Sequence, residues 1–346
     1  MSPTLSVLAS STTIDTVGTP WLWGATIAVV LALLVFDFAL TRRPHEVSMR
    51  EALGWTVFYI ALPIAFGFLL WFHNGGTPAM EFFTGYLLEK SLSVDNLFIF
   101  MLLLSAFAVP KALAQRVLLY GIAGALVLRG IFIALGAAAL ATLDWAFLLF
   151  GLILLVTAVK LLSDALSGHE QDVDVSNMKS VRLLRRFWPV TDDYRGTKMV
   201  VTEPDPDRPN VLRRALTPLA LVVAAVMATD LVFAVDSVPA VYGVTGDPFL
   251  VFATNAFALL GLRALYFVLH AALSRLVHLA YGLAAILAFI GVKLVLHWAH
   301  GIWSGVPQIP TAASLLVIVV VLATVTLSSL RATRGQQAAV ADAELP

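Results

Sequence analysis

Nine stretches of about 20 or more mostly apolar residues follow one another along this chain, and they limit its fold more than any other feature. A helix of about 20 apolar residues is long enough to span the hydrocarbon core of a bilayer. Of the 346 residues, 60% are hydrophobic and 13% are charged, against about 25% charged in soluble domains. The sequence therefore predicts an all-α polytopic membrane protein with about nine transmembrane helices, near residues 21–40, 52–72, 81–109, 115–140, 144–163, 215–243, 249–271, 277–297 and 310–330.

The same composition excludes several classes of function. Lys and Arg number 22, as do Asp and Glu, so the chain lacks the basic excess of a nucleic-acid-binding protein. It has no cysteine, which excludes disulfides, thiolate metal sites and cysteine nucleophiles. We find no phosphate-binding loop, nucleophile motif or histidine-based metal motif, and we expect no enzymatic activity.

The distribution of Lys and Arg predicts the orientation. Of these 22 residues, 17 lie on alternate connections and on the C-terminal tail, whereas the other five extramembrane segments have none. Because cytoplasmic loops carry the excess of Lys and Arg, we expect the N-terminus outside and the C-terminus in the cytoplasm. The first 20 residues have no Lys or Arg, so we expect no cleaved signal peptide.

A polar stretch of about fifty residues, 164–214, separates the fifth and sixth predicted spans. It is rich in Asp, Arg and Pro and has too few apolar residues for a core of its own. We interpret it as an exposed, partly ordered cytoplasmic loop to which a cytoplasmic partner could bind.

The order acid, acid, Arg, Lys occurs twice among the spans, as Glu89, Asp95, Arg129 and Lys160 and again as Asp230, Asp236, Arg263 and Lys293. Each copy covers three helices, an odd number, so the two copies would have opposite orientations. Such inverted repeats are common in secondary transporters, whose sites lie near the bilayer midplane. We therefore divide the chain into residues 1–80 (external N-terminus and helices 1–2), 81–163 (repeat 1), 164–214 (cytoplasmic loop), 215–300 (repeat 2) and 301–346 (helix 9 and cytoplasmic tail).

Ten charged side chains fall inside the predicted spans. Each costs about 2.5–3.5 kcal/mol at mid-bilayer on insertion scales, so they must face one another or a water-filled cavity. For each Arg and Lys we favour a charge-compensating ion pair, although one lysine near a helix end can instead reach the interface. For the four repeat acids we favour a cation site. The ten are Asp37, Glu89, Asp95, Asp230, Asp236, Lys90, Arg129, Lys160, Arg263 and Lys293.

The six-residue spacing within each acid pair places the two carboxylates about 120° apart and about 9 Å along a regular helix. Each helix then presents two oxygen-rich faces, with Glu89 beside Ser93 and Asn96, Asp95 beside Ser91, Asp230 beside Ser237, and Asp236 beside Thr229. Either these faces line a broad site between the repeats, or the helices are interrupted at the midplane. The paired serines and Pro239 favour interruption.

The candidate metal ligands carry only oxygen donors: Asp95, Asp236, Glu89, Asp230, Asn96 and Asp37. The seven histidines lie in loops or near span edges. Oxygen-only sites suit Mg²⁺, Ca²⁺ and Mn²⁺ better than Zn²⁺ or Cu²⁺, and the residues alone do not separate these three. We expect a transported cation and no permanently bound cofactor.

Two motifs resemble the TerC/Alx family of integral membrane proteins: Glu89-Lys90-Ser91-Leu92-Ser93-Val94-Asp95-Asn96 and Ala228-Thr229-Asp230-Leu231-Val232-Phe233-Ala234-Val235-Asp236-Ser237-Val238-Pro239-Ala240. The run from Asn255 to Tyr266 and the pair Phe36-Asp37 are similar to the same family. The resemblance implies a bacterial-type inner membrane protein of metal homeostasis, related to lysine-exporter-like transporters. It also implies manganese export and an association with tellurium resistance.

Three functions remain open at this point. The first is Mn²⁺ export by alternating access, with or without coupling to protons, with Asp95 and Asp236 as core ligands and Arg129 and Arg263 pairing with acids when the ion is absent. The second is oxyanion transport through the intramembrane Arg and Lys residues. The third is a scaffold or sensor that acts through the loop 164–214.

Overall fold

The computed structural model describes residues 16–41, 47–143, 145–167, 178–205, 208–270 and 278–343. Over these ranges the chain forms eleven helices and one two-stranded hairpin. The helices are α1 (Pro20–Leu40), α2 (Met49–Asn74), α3 (Gly76–Ala106), α4 (Lys111–Thr142), α5 (Ala146–Ser167), α6 (Lys179–Phe187), α7 (Pro218–Tyr242), α8 (Pro248–Leu260), α9 (Leu262–His270), α10 (Leu279–Ile302) and α11 (Thr311–Ala343). The strands are β1 (Val200–Asp205) and β2 (Arg208–Leu216).

Each predicted span coincides with one helix or, for residues 249–271, with the pair α8 and α9. Seven helices are long and apolar enough to cross a membrane, and the pair α8 and α9 makes an eighth if it is one span. The remaining long helix, α3, has 31 residues and concentrates Glu89, Lys90 and Asp95 in its middle. The prediction of an all-α polytopic membrane protein is confirmed.

Short connections arrange the long helices so that one end of the bundle carries the hairpin. We call this the hairpin end: α1, α3 and α5 end there, and α2, α4, α7 and α10 begin there. The Tyr194 hydroxyl donates a hydrogen bond to the Phe107 carbonyl at 2.8 Å, just after α3. The Tyr281 hydroxyl likewise joins the start of α10 to the Ala165 carbonyl near the end of α5.

The helices of the two predicted repeats pack in a reciprocal pattern. Helix α3 of the first repeat packs against α8, and α7 of the second packs against α4. Helix α5 packs against α10 through Gly151 and Gly291, where the backbones approach closely because neither residue has a side chain. If each helix is replaced by its counterpart in the other repeat, the same set of helix contacts results. The inverted orientation of the two copies stays a prediction.

The stretch 164–214 is more ordered than a loop. Helix α5 continues to Ser167, and α6 and the hairpin follow, with the strands paired antiparallel from Val200 opposite Leu216 to Asp205 opposite Arg208. The partial order predicted for this stretch is therefore present where the chain is described, while residues 168–177, 206 and 207 lie outside the described ranges.

Of the two alternatives left open for the acid-bearing helices, the structure shows continuous helices and not interrupted ones. Helix α3 continues through Ser91 and Ser93, and α7 continues through Pro239 to its end at Tyr242. The Ser91 hydroxyl donates to the Leu87 carbonyl of its own helix, a bond that a regular helix accommodates. The break lies instead at Gly261, where α8 and α9 meet with a bend of 42°.

Candidate functional site

A buried guanidinium lies at the centre of the bundle. Arg129, in the middle of α4, is 1% exposed. Its Nε donates to Oδ2 of Asp230 at 3.1 Å, and its Nη2 donates to Oδ1 of the same carboxylate at 3.0 Å. Its Nη1 donates to Oδ1 of Asn255 at 2.9 Å and to Oε1 of Glu89. One side chain from each of α3, α4, α7 and α8 thus meets at a single point, two from each predicted repeat.

This arrangement, which we call the Arg129 cluster, holds more carboxylate than guanidinium. Glu89 and Asp230 are 0% and 1% exposed, so one positive charge faces two buried acidic groups. The second oxygen of Glu89, Oε2, has no hydrogen-bond partner among the described residues. A buried carboxylate without full compensation is costly, so this point favours a further cation or a proton.

Three neighbouring polar side chains follow the spacing that the sequence predicts. Ser93 and Asn96 lie four and seven residues after Glu89 on α3, and Ser237 lies seven residues after Asp230 on α7. All three are buried. The Ser93 and Ser237 hydroxyls and the Asn96 amide nitrogen have no hydrogen-bond partner within the described part of the chain. These positions therefore offer polar atoms that the helices themselves do not use.

A cavity of about 360 Å³ lies beside these residues, between α3, α5, α7 and α10. Its polar lining consists of Asn96, Thr157, Lys160, Asp164, Asp236 and Ser237. Asp236 is only partly buried and lies within electrostatic range of Glu89 and Arg129. Asp236, the second acid of the second repeat, therefore faces this cavity next to the Arg129 cluster.

The structure leaves the predicted metal-ligand set untested. Asp95 lies on α3, but its side chain is outside the described part of the chain. Among the side chains that are described, no group of three or more His, Asp or Glu residues is arranged to hold a metal ion. The space between Glu89 and Asp230 is occupied by the Arg129 guanidinium. A shared metal site at the repeat acids stays a prediction.

Asp37 belongs to a second buried cluster near the hairpin end. Its Oδ1 accepts a hydrogen bond from Nη2 of Arg263 at 2.7 Å, and Nη1 of Arg263 donates to Oε1 of Gln115 at 3.2 Å. Asp37 is three residues before the end of α1, and Arg263 is at the start of α9. Asp37 thus pairs with a base, and the partner of Arg263 is this acid rather than a repeat acid.

The chain matches the family described as "Integral membrane protein TerC family" over residues 74–337. It belongs to the TerC family. This match includes Glu89, Arg129, Asp230, Asp236 and Asn255, and it begins after Asp37. As a TerC family member with these apolar helices, the chain is a multi-pass integral membrane protein.

Relatives of similar length support the same family. An uncharacterized membrane protein of Myxococcus xanthus is 38% identical over 335 residues, which cover 96% of this chain and 99% of that protein. The "Putative membrane-bound redox modulator Alx" of Escherichia coli K12 is 42% identical over 315 residues, covering 88% of this chain and 92% of that protein. An uncharacterized membrane protein of Mycobacterium tuberculosis is 40% identical over 324 residues, covering 91% and 80%. No solved structure matches the chain.

The three intramembrane lysines of this TerC family protein do not form the ion pairs expected of them within the described residues. The Lys90 ammonium donates to the Ala258 carbonyl at 3.3 Å, where α8 approaches its break. Lys293 donates to the Ser314 hydroxyl at 3.0 Å. Lys160 is exposed and lines the cavity. Lys90 therefore stabilises a helix end, since a cation near terminal carbonyls is favourable.

Two of the predicted polar residues bond to their own helices. The Thr229 hydroxyl donates to the Ala225 carbonyl at 2.8 Å, and the Ser91 hydroxyl donates to the Leu87 carbonyl at 2.6 Å. Their oxygens keep free acceptor capacity, because each hydroxyl has two lone pairs. Their donor hydrogens are already used.

Sequence reasoning missed Asn255 and Gln115, the two amides that accept hydrogen bonds from the buried arginines. The available signal was weak: each is an uncharged polar residue within or beside an apolar span. A side-chain amide in a membrane helix needs partners, because the bilayer core offers no water. That rule marks such residues as candidates but does not identify the partner.

Proposed function

We propose that this TerC family protein is a transporter that exports a divalent metal cation, Mn²⁺, across the bacterial inner membrane. The observation that carries the proposal is the Arg129 cluster, in which one buried guanidinium faces two buried carboxylates from different repeats. Its surplus negative charge favours a cation and repels an anion. Oxyanion transport is less well supported, since Arg129 and Arg263 are both bound to carboxylates.

In this proposal Arg129 is the resident cation of the ion-free state. An arriving Mn²⁺ displaces the guanidinium from at least one carboxylate, and Arg129 returns when the ion leaves. Compensation of the buried charge is thereby maintained throughout the cycle. The Glu89 carboxylate and the nearby Ser237 hydroxyl supply oxygen ligands of the kind that Mn²⁺, Mg²⁺ and Ca²⁺ prefer. The choice of Mn²⁺ among these three ions rests on the family resemblance.

The location of the cluster supports transport by alternating access. Its four side chains come from helices of both predicted repeats. Inverted-repeat transporters bind their substrate at such an interface between the repeats. Asp95 and Asp236 complete the proposed ligand set, and a carboxylate that releases a proton when the metal binds would couple export to the proton gradient. The hairpin end carries most of the bases and is assigned to the cytoplasm, with the N-terminus outside.

The test uses the purified full chain in liposomes that contain a metal-sensitive dye. We expect uptake of Mn²⁺ that exceeds uptake of Mg²⁺ and Ca²⁺ and that responds to a pH gradient. Asp236→Asn, Asp95→Asn and Glu89→Gln should each reduce Mn²⁺ flux by at least about tenfold, since removing a charged ligand from a buried site costs several kcal/mol.

The matched control is Glu203→Gln, which removes an acid from the partly exposed pair with Arg213 on the hairpin. It should retain the wild-type flux. Thermal unfolding and gel filtration identify variants that fail to fold. Unchanged Mn²⁺ flux in the folded Asp95, Asp236 and Glu89 variants would contradict the proposed site, and absence of metal flux in the wild-type protein would contradict the proposed function.

A further inference from the structure

The cavity beside Asp236 extends to an acid that neither repeat motif includes. Asp164 is three residues before the end of α5 and lines the same cavity as Asp236 and Asn96. The start of α10 contributes Leu283 and Leu287 to the wall. Because the Tyr281–Ala165 hydrogen bond joins these two helix ends, Asp164 lies where the cavity approaches the hairpin end.

The volume of the cavity suits a hydrated ion. A water molecule occupies about 30 Å³ of liquid, so a divalent cation with six waters needs about 180 Å³. The cavity offers about 360 Å³. The volume therefore holds a hydrated Mn²⁺ with its first hydration shell and further water around it.

The lining has the charge and the free polar atoms of a binding site. With all three side chains ionised, Asp164 and Asp236 contribute two negative charges and Lys160 one positive charge, which gives the cavity one net negative charge. Two buried lining atoms, the Asn96 amide nitrogen and the Ser237 hydroxyl, have no hydrogen-bond partner among the described residues. Asn96 and Ser237 are 4% and 1% exposed. The Ser237 hydroxyl lies within interaction range of Glu89, and the Asn96 N–H requires an acceptor such as a water molecule in the cavity.

We propose that this cavity is a separate position for a hydrated divalent cation, held between Asp164 and Asp236 before the ion reaches Glu89. Asp164 binds the ion through its hydration shell and raises the local cation concentration. The carboxylate of Asp236 and the side-chain oxygens of Asn96 and Ser237 receive the ion at the inner end of the cavity. Lys160, one turn before Asp164 on α5, lowers the affinity of this position and so limits how long the ion stays. This inference rests on the proposed function.

The experiment measures initial rates of Mn²⁺ transport by the full chain in liposomes over a range of Mn²⁺ concentrations. For Asp164→Asn we expect the KM to rise about thirtyfold at low salt, the factor for one negative charge and a divalent cation about 4 Å apart in bulk water, with little change in maximal rate. Asp164→Glu should retain a near wild-type KM. Lys160→Gln should lower the KM, because the cavity then carries two net negative charges.

The control variant is Asp192→Asn, which removes an exposed acid from the same end of the molecule, away from the cavity lining. It should leave the KM unchanged. High salt should reduce the difference between wild type and Asp164→Asn, since Asp164 is only partly buried and ions screen a partly exposed charge. A structural role for Asp164 would not produce this salt dependence or the opposite effect of Lys160→Gln.

The outcomes separate the two proposals. If Asp164→Asn has the wild-type KM, or only a lower maximal rate, while Glu89→Gln abolishes flux, the inference about the cavity is wrong and the proposed function stands. The inference is also overturned if Asp164→Glu is as impaired as Asp164→Asn, or if Asp192→Asn shifts the KM equally. If the wild-type protein moves no divalent cation, the proposed function itself fails.

Discussion

Arg129 and Asp230 form a two-pronged ion pair across the two predicted repeats, with Nε–Oδ2 and Nη2–Oδ1 distances of 3.1 and 3.0 Å. Both side chains are 1% exposed. The planar guanidinium matches the carboxylate at two points, which an ammonium cannot do. This pair therefore depends on arginine and on the alignment of α4 with α7.

Removal of Arg129 should destabilise the protein strongly. Arg129→Gln leaves Glu89 and Asp230 buried without a counter-charge, and we expect a loss of about 3–5 kcal/mol in the free energy of unfolding. Arg129→Lys should lose less, because it keeps the charge and loses only the two-point geometry. Thermal unfolding in detergent micelles measures both.

The matched comparison for this pair is Arg213→Gln on the hairpin. Arg213 pairs with Glu203 at 2.9 Å, but both side chains are partly exposed, at 29% and 25%. We expect its loss to cost at most about 1 kcal/mol, since exposed pairs are screened by water. Equal effects of Arg129→Gln and Arg213→Gln would show that burial does not govern the Arg129 cluster.

The Asp37–Arg263 pair should prove structural. Asp37→Asn and Arg263→Gln should each destabilise the protein, because each leaves one buried charge unpaired. The double variant should be more stable than either single variant. A double-mutant cycle of unfolding free energies measures this coupling, which we expect to be about 1–3 kcal/mol. The double variant should still transport Mn²⁺, whereas complete loss of flux with normal folding would return Asp37 to the ligand set.

Close packing of α5 on α10 should make Gly151 intolerant of a side chain. A Cβ at Gly151 would lie 2.8 Å from Cγ2 of Val295 and 2.9 Å from the Gly291 carbonyl oxygen, closer than real contacts allow. We expect Gly151→Ala to cost about 1–3 kcal/mol of stability. Gly130→Ala on α4 is the control, because a Cβ there meets no atom within 4 Å. Its stability should equal or exceed that of the wild type, and a loss like that of Gly151→Ala would refute the packing argument.

The contact between the segment that contains Tyr194 and the end of α3 should weaken at high pH. Partial burial raises the pKa of Tyr194 from its ordinary value of 10 to about 12. The folded state therefore favours the neutral phenol, and this contribution to stability is present below pH 10 and is lost as the pH rises from 10 through 12. Tyr194→Phe lacks this titration and also lacks the hydrogen bond to the Phe107 carbonyl, which is worth about 0.5–1.5 kcal/mol.

The measurement compares thermal unfolding of wild type and Tyr194→Phe between pH 7 and pH 11.5. The wild type should be more stable at neutral pH, and its advantage should shrink above pH 10. Because Tyr194 is partly exposed, the change will be smaller than the full pKa shift implies. A difference between the two proteins that does not vary with pH would mean that the phenol ionises equally in the folded and unfolded states.

The sequence predicted the spans well and the site only in part. Helix α3 was predicted in spite of its three central charges, because its apolar flanks are long enough to span. The heptad-like spacing placed Glu89, Ser93 and Asn96 on one buried face of that helix. The sequence left open whether the acid-bearing helices are interrupted, because an interruption depends on local packing. The break lies at Gly261, where the Lys90 ammonium and the Tyr59 side chain lie where a side chain would point.

The sequence by itself determined that this chain crosses a membrane repeatedly and that two sets of acid, acid, Arg and Lys lie within its helices. The length of an apolar segment and the cost of a charge within it are properties of that segment, so the sequence reveals both without knowledge of the tertiary contacts. Only the tertiary structure decided that Arg129 binds Glu89 and Asp230 while Arg263 binds Asp37. The reason is that ion pairing depends on the depth and rotation of each helix against its neighbours, and packing sets both.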